Sequence, residues 1–242
     1  MVVESVACSL EDCLIAQEAG IGRIELVQAI ELGGITPGIA LIEQCLEGCK
    51  LPVMVMIRPR AGGFHYSDYE FAVMMADAER AIRAGAHGLV FGCLHASGEV
   101  HRDRMSALLE VADGRDAICH RCFDATPDVV RSMETLIDCG MTRILTGGGR
   151  KSAMDGLATL REINQIANHR IEIMPGGSVR SDNVQQIIDV VGCNSVHLGP
   201  FKKVDDPTAQ LHVEMQFGTH PVLDAVEAAA VVQAICDQAD DS

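Results

Sequence analysis

The chain has no tryptophan, and aromatic residues make up only 3% of its 242 positions. Any core must therefore be built from Val, Ile, Leu, Ala and Met. Basic residues are also scarce. Against 34 Asp and Glu stand 19 Lys and Arg, for a formal net charge of −15 and a pI near 4.9. That balance excludes a general nucleic-acid surface, which needs a basic face, and it argues against docking on anionic lipid. No run of 18 apolar residues occurs, so no membrane span is expected. The start, Met1-Val2-Val3-Glu4-Ser5, lacks the basic and then apolar regions of a secretory leader. The 10 cysteines are scattered. They form neither the dense framework of a small secreted scaffold nor the paired C-x-x-C knuckles of a ribbon-type zinc site. A reducing, cytoplasmic setting is the expectation.

What is present is alternation. Short apolar runs at Val2–Ala7, Arg23–Gln28, Pro52–Arg58, Gly88–Leu94, Ala117–Cys122, Arg143–Gly147, Arg170–Pro175 and Ser195–Gly199 read as strands. Amphipathic segments lie between them, among them Leu10–Ala19, Asp68–Ala84 and Asn183–Val190. Ser9, Ser67 with Glu70, and Asp128 supply helix starts, while Gly20, Gly85 and Gly140 stand where helices should stop. Repeated strand–helix units imply parallel strands with right-handed crossovers. Eight strands buried on both sides favour a TIM (β/α)₈ barrel over an open doubly wound sheet. The G-x-G-x-x-G fingerprint of the open alternative is missing after the first strand. The expected organisation is a single domain over 1–242. Its extension at about 200–242 reads as a polar loop over Pro200–Asp206, then an Ala-rich helix at about Pro221–Asp237. That helix is either the eighth of the barrel or a contact in a homodimer or higher homo-oligomer.

Several polar residues fall where a barrel should be apolar. Strand side chains alternate, so Glu4 and Val6 share one face of the first strand and Glu25 and Val27 one face of the second. In matching register Glu4 neighbours Glu25 inside the barrel, and two close carboxylates cannot both ionise easily. The pair suits acid–base work, or else is locked structurally to arginines such as Arg23 or Arg58. His120, with Asp124 just beyond, sits at a strand's carboxyl end and reads as a proton-transfer residue oriented by that aspartate. Its alternative is a core histidine bonded to backbone. Arg58, Arg60, Arg121, Arg150 and Arg180 all map to the same end. With the glycine turns at Gly147, Gly176 and Gly177, they suit a small anionic ligand. Cys8, Cys119 and Cys122 lie at the same end and are candidate thiolate ligands, although a buried cysteine is usually a small hydrophobe.

These residues together resemble the CutC family over about residues 2–200. The resemblance rests on Glu4 with Ser9, Arg23-Ile24-Glu25-Leu26, Gly33-Gly34-Ile35-Thr36-Pro37, Met56-Ile57-Arg58-Pro59-Arg60, Tyr66-Ser67-Asp68, Gly88-Leu89-Val90-Phe91-Gly92, His120-Arg121 with Phe123-Asp124, Leu145-Thr146, and Met174-Pro175-Gly176-Gly177 with Asn183. It implies a cytoplasmic barrel associated with copper homeostasis. Family members that bind Cu(I) are thought to use cysteines on the first two strands; here those positions are Val6 and Val27. Gly63, His101 and the Leu198-Gly199-Pro200 run after His197 also depart from the pattern. A non-catalytic scaffold whose Ala-rich C-terminal helix makes a dimer is one reading, and two others assign a ligand. One is a copper-homeostasis protein that binds Cu(I) through Cys8, Cys93, Cys119 or Cys122. The other is an enzyme acting on a small anionic compound such as a phosphorylated metabolite. In the second, Arg58, Arg60 and Arg121 hold the anion, Glu25 or Glu4 is the base and His120 the acid.

Overall fold

The computed structural model describes residues 1–208 and 218–239. Eight parallel strands form the barrel: β1 (Val2–Ala7), β2 (Arg23–Leu26), β3 (Val53–Met56), β4 (Gly88–Phe91), β5 (Asp116–Cys119), β6 (Arg143–Thr146), β7 (Glu172–Pro175) and β8 (Ser195–Leu198). Between them run α1 (Leu10–Glu18), α2 (Ile39–Gly48), α3 (Asp68–Ala84), α4 (Arg102–Ala112), α5 (Val129–Cys139), α6 (Leu157–Ala167) and α7 (Val184–Val191). Each strand pairs with its sequence neighbour, β8 pairs with β1, and a bridge between Gly176 and His197 brings β7 against β8. The chain is thus a TIM (β/α)₈ barrel, with every expected strand present and four of the eight ending two or three residues early.

Alternation divides the apolar residues into two cores. Val3, Ala7, Ile24, Leu26, Val53, Val55, Leu89 and Phe91 pack outward against the helices, while Val6, Val27, Met54, Met56, Val90, Ile118, Leu145 and Met174 fill the barrel. The caps form as the sequence implies. Ser9 accepts from Asp12 N, Ser67 and Glu70 make a reciprocal capping box, and Asp128 accepts from Arg131 N. Gly85 and Gly140 close α3 and α5 with left-handed backbone.

Three expectations need correction. The strands are staggered, so β1 pairs Glu4 with Arg23 and Val6 with Glu25; the two glutamates are not direct neighbours. The apolar face expected of the first helix, Leu10, Leu14, Ile15 and Ala19, is not the buried one: Asp12, Cys13 and Ala16 turn inward and Leu14 is exposed. The segment after β8 is not a loop leading to a helix. Phe201–Asp205 (β9) and Thr219–Leu223 (β10) pair as an antiparallel hairpin before α8 (Ala225–Ala239). The β-branched and aromatic residues Phe201, Val204, Thr219 and Val222 favour strand there. Helix α8 then packs against α7 and α1, completing the outer ring.

One buried carboxylate ties the hairpin to the barrel. Asp12 is 2% exposed. Its two oxygens accept the backbone N–H groups of Leu223 and Cys8, each at 2.9 Å. Replacing it with Ala strands both donors, and a buried unsatisfied donor costs about 1–3 kcal/mol. Asp12→Ala is therefore expected to lower stability by roughly 2–4 kcal/mol in urea unfolding, whereas Glu11→Ala, one residue away and exposed, changes it by less than about 0.5 kcal/mol.

Candidate functional site

The base of the site is an ion network inside the barrel. Glu4 is 1% exposed, and its carboxylate accepts from Arg23 Nε on one side and from His197 Nδ1, at 2.9 Å, on the other. The second ring nitrogen of His197 lies 3.5 Å from Glu25 Oε2. The histidine on β8 therefore joins the two glutamates that the stagger keeps apart. Burial alone would raise the Glu4 pKa. The hydrogen bond from His197 and the charges of His197, Arg23 and Arg143 outweigh it and hold Glu4 down at about 2. Glu25 has no arginine of its own. Burial raises it, His197 pulls it back in part, the Glu4 charge raises it further, and it settles at about 7. His197 is opposed by burial but lifted overall by Glu25 and by the hydrogen bond and charge of Glu4.

Above this network a cavity of about 520 Å³ opens at the carboxyl ends of the strands. Its wall combines hydrocarbon (Val6, Val27, Met56, Leu145) with Glu25, His120, His197 and three arginines, Arg58, Arg121 and Arg180. The guanidinium groups are pre-set by backbone. Arg58 donates from Nη1 to Leu32 O and Gly34 O and from Nη2 to Gly62 O, at 2.8–3.0 Å. Arg121 is fixed by Asp124 Oδ2 at 2.7 Å and by the carbonyls of Arg150 and Lys151. It passes beside Gly177, whose φ is +100° and where any Cβ would come within 2.9 Å of the guanidinium.

The structure redistributes the roles read from sequence. Asp124 does not touch His120. It accepts from Thr146 Oγ1, from the backbone N–H groups of Gly147 and Gly149, and from Arg121, so it ties the loop after β6 to the Arg121 guanidinium. His120 Nδ1 instead accepts from Cys122 N at 3.1 Å. Burial and the nearby Arg58 charge push its pKa down to about 3, so at neutral pH the ring is uncharged. Arg60 is absent from the cavity wall; it pairs with Glu70 and lies 5.1 Å over the Tyr66 ring. The Gly147 N–H is spent on Asp124 and the Gly176 N–H on Thr146 O, so of the three glycines only Gly177 lines the cavity. Sequence reading missed the link made by His197. It also missed Phe64, whose ring lies 5.0 Å from His120 and 5.3 Å from the Arg58 guanidinium. The order of the ring held the first signal, because β8 must close beside β1.

The cysteines do not assemble into one site. Cys119 and Cys122, the ends of a Cys-His-Arg-Cys segment, have their sulfurs 3.6 Å apart. Both belong to the packed layer between sheet and helices, each 1% exposed. Burial and the neighbouring Cys119 push the Cys122 thiol well above its ordinary pKa. Cys8 packs instead against the barrel interior, and burial and Asp12 push it up to about 12. Val6 and Val27 present only hydrocarbon. Among the described residues no group of three or more His, Cys, Asp or Glu is arranged to hold a metal ion. Burial and the raised Cys122 thiol oppose the deprotonation that copper binding at this pair requires.

The network fixes how stability depends on pH. Glu25 binds its proton more tightly folded than unfolded, so its contribution is complete below about pH 4.5 and lost as pH rises through about 7. Glu4 runs the other way, present above about 4.5 and lost as pH falls through about 2. Glu25→Gln is expected to flatten the stability profile between about pH 5 and 8, removing a decline of roughly 2–3 kcal/mol in that window. Chemical unfolding across the pH range checks this, and a variant with the wild-type slope would mean that Glu25 titrates normally.

Comparison with known proteins gives a consistent family. The CutC family model matches residues 1–202. A Treponema denticola relative described as "family protein CutC" is 37% identical over 231 residues, covering 95% of this chain and 94% of its own length. A mouse relative, "Copper homeostasis protein cutC homolog", is 37% identical over 196 residues, covering 81% of this chain and 72% of itself. The crystal structure of a CutC protein from Streptococcus agalactiae superposes with a TM-score of 0.77 at 33% identity, covering 81% of this chain and 97% of that one. With its match spanning nearly all of the barrel and its relatives at this level of identity, the chain belongs to the CutC family.

Proposed function

We propose that the cavity is the active site of an enzyme performing general acid–base chemistry on a small anionic metabolite. One observation carries this reading. Among the described residues, seven buried side-chain nitrogen or oxygen atoms lack a hydrogen-bond partner, and Glu25 Oε1, Arg58 Nε and His120 Nε2 all belong to residues lining this cavity. Each such atom costs about 1–3 kcal/mol, so a cluster of them is what a binding site waiting for polar partners looks like. A carboxyl group near pH 7 is matched to proton transfer at neutral pH. Glu4 and His197 supply its electrostatic setting, and Arg121 and Arg180 the positive charge for an anion.

Two outcomes are expected. In calorimetric titration with inorganic phosphate and small phosphorylated metabolites, Arg180→Ala weakens binding by about tenfold or more, Arg60→Ala leaves it unchanged, and Glu25→Gln retains it while lowering turnover about a hundredfold. Wild-type affinity in the Arg180 variant would move the anion out of this cavity. In an anaerobic competition against a chromophoric Cu(I) chelator, the reduced chain is expected to bind no tighter than its Cys119→Ser/Cys122→Ser variant. One-to-one binding lost in that variant would instead restore a copper role at that pair.

A further inference from the structure

We infer that the substrate is a small carbonyl compound, its carbonyl oxygen held by the His120 Nε2–H and Arg58 Nε–H, and that Glu25 removes a proton from the neighbouring carbon. The inference rests on the acid–base reading of the cavity and narrows it to one class of reaction.

The argument starts from the His120 tautomer. Nδ1 accepts the Cys122 N–H at 3.1 Å, so it carries no proton, and the proton of the neutral ring sits on Nε2. That N–H is buried and has no partner among the described residues. The ring is held in place. Phe64 lies against it at 46°, and Gly92 leaves space for both Cys122 and the ring, since a Cβ there would overlap Cys122 Sγ and come within 2.8 Å of His120 Cε1. Arg58 is equally fixed: three backbone carbonyls take its two Nη groups and leave Nε over for something else. Two fixed residues, one just beyond β3 and one just beyond β5, thus line one cavity, each with a buried N–H that no acceptor among the described residues takes. Donors held in advance of the reaction favour the state in which a carbonyl oxygen gains negative charge. A neutral imidazole does this without giving its proton away.

The third unpartnered atom, Glu25 Oε1, is the acceptor for the proton that must leave. In the step, the Glu25 carboxylate takes the proton from the carbon beside the carbonyl. The C–H electron pair becomes the new C=C bond, and the carbonyl π pair moves onto oxygen. With a hydroxyl on the deprotonated carbon, that hydroxyl's proton passes to the carbonyl oxygen, and return of the proton from Glu25 to the former carbonyl carbon gives the isomeric hydroxycarbonyl compound and ionised Glu25, so no redox partner or other co-reactant is needed. Arg121 and Arg180 take the anionic group at the rim.

The test uses 2-phosphoglycolohydroxamate, a planar mimic of the enediolate, and glycerol 3-phosphate, which carries the phosphate but no carbonyl. The expected result is at least about tenfold tighter binding of the hydroxamate. His120→Ala, first checked for cooperative unfolding, abolishes that preference and leaves glycerol 3-phosphate affinity intact. On ¹⁵N-labelled histidine, the His120 Nε2–H resonance moves when the hydroxamate binds, a shift that a purely structural histidine would not show. Equal binding of the two compounds, both weakened by Arg180→Ala and indifferent to His120→Ala, overturns the carbonyl inference while the anion site stands. If neither compound binds, both readings fall together.

Discussion

A carboxylate at the centre of a barrel can survive only if other charges meet it there. Glu4 is met by Arg23 from the next strand and by His197 from the strand that closes the ring. Burying an ion costs several kcal/mol even after relaxation, and the cost is repaid only when hydrogen bonds and opposite charge are both in place. Glu4 has both. Glu25, buried almost as fully and sharing only the far side of His197, does not. The contrast between the two glutamates follows from this unequal sharing of cations. It also ties the network to the closure of the fold, because His197 is paired both with Glu4 of β1 and, across the last gap of the ring, with Gly176 just beyond β7.

The barrel was legible because its signals are local. Apolar runs, caps and glycine stops each report on a few neighbouring residues, and all eight strands could be placed from them. The site was legible only as a list. That Glu4, Glu25, His120 and the arginines lie toward the carboxyl ends follows from strand alternation. Which of them meet depends on stagger between strands, and that is a property of the closed ring. Matching numbers put Glu4 beside Glu25, whereas the register inserts His197 between them. Asp124 lies four residues beyond His120 in sequence, yet a tight 3₁₀ turn over Arg121–Ala125 carries it toward Arg121 and the loop after β6. Arg60 lies two residues from Arg58, but the loop between them swings it onto Glu70. The hairpin of β9 and β10 went unread because its strands are short, β9 is largely exposed, and more than a dozen residues separate the two in sequence.

The family name points to copper, and the residues of this chain point elsewhere. The hydrocarbon of Val6 and Val27 lines the same cavity as Glu25 and His197. Apolar walls keep the dielectric low around the charged groups, which strengthens every electrostatic contact made there. The same two side chains that disfavour a soft metal thus help a carboxyl group titrate near neutrality.

The three arginines of the cavity sit in a molecule whose net charge is −15. These two fields have different ranges. At physiological ionic strength charge is felt over about 8 Å, so an approaching anion first meets the acidic exterior and senses the arginines only at the mouth. Capture of an anion here is therefore opposed at long range and favoured at short range. Added salt screens the repulsive field of the surface before it reaches the sheltered pocket. Such a protein would take up its ligand faster, not slower, as ionic strength rises from very low values, the reverse of the usual electrostatic steering.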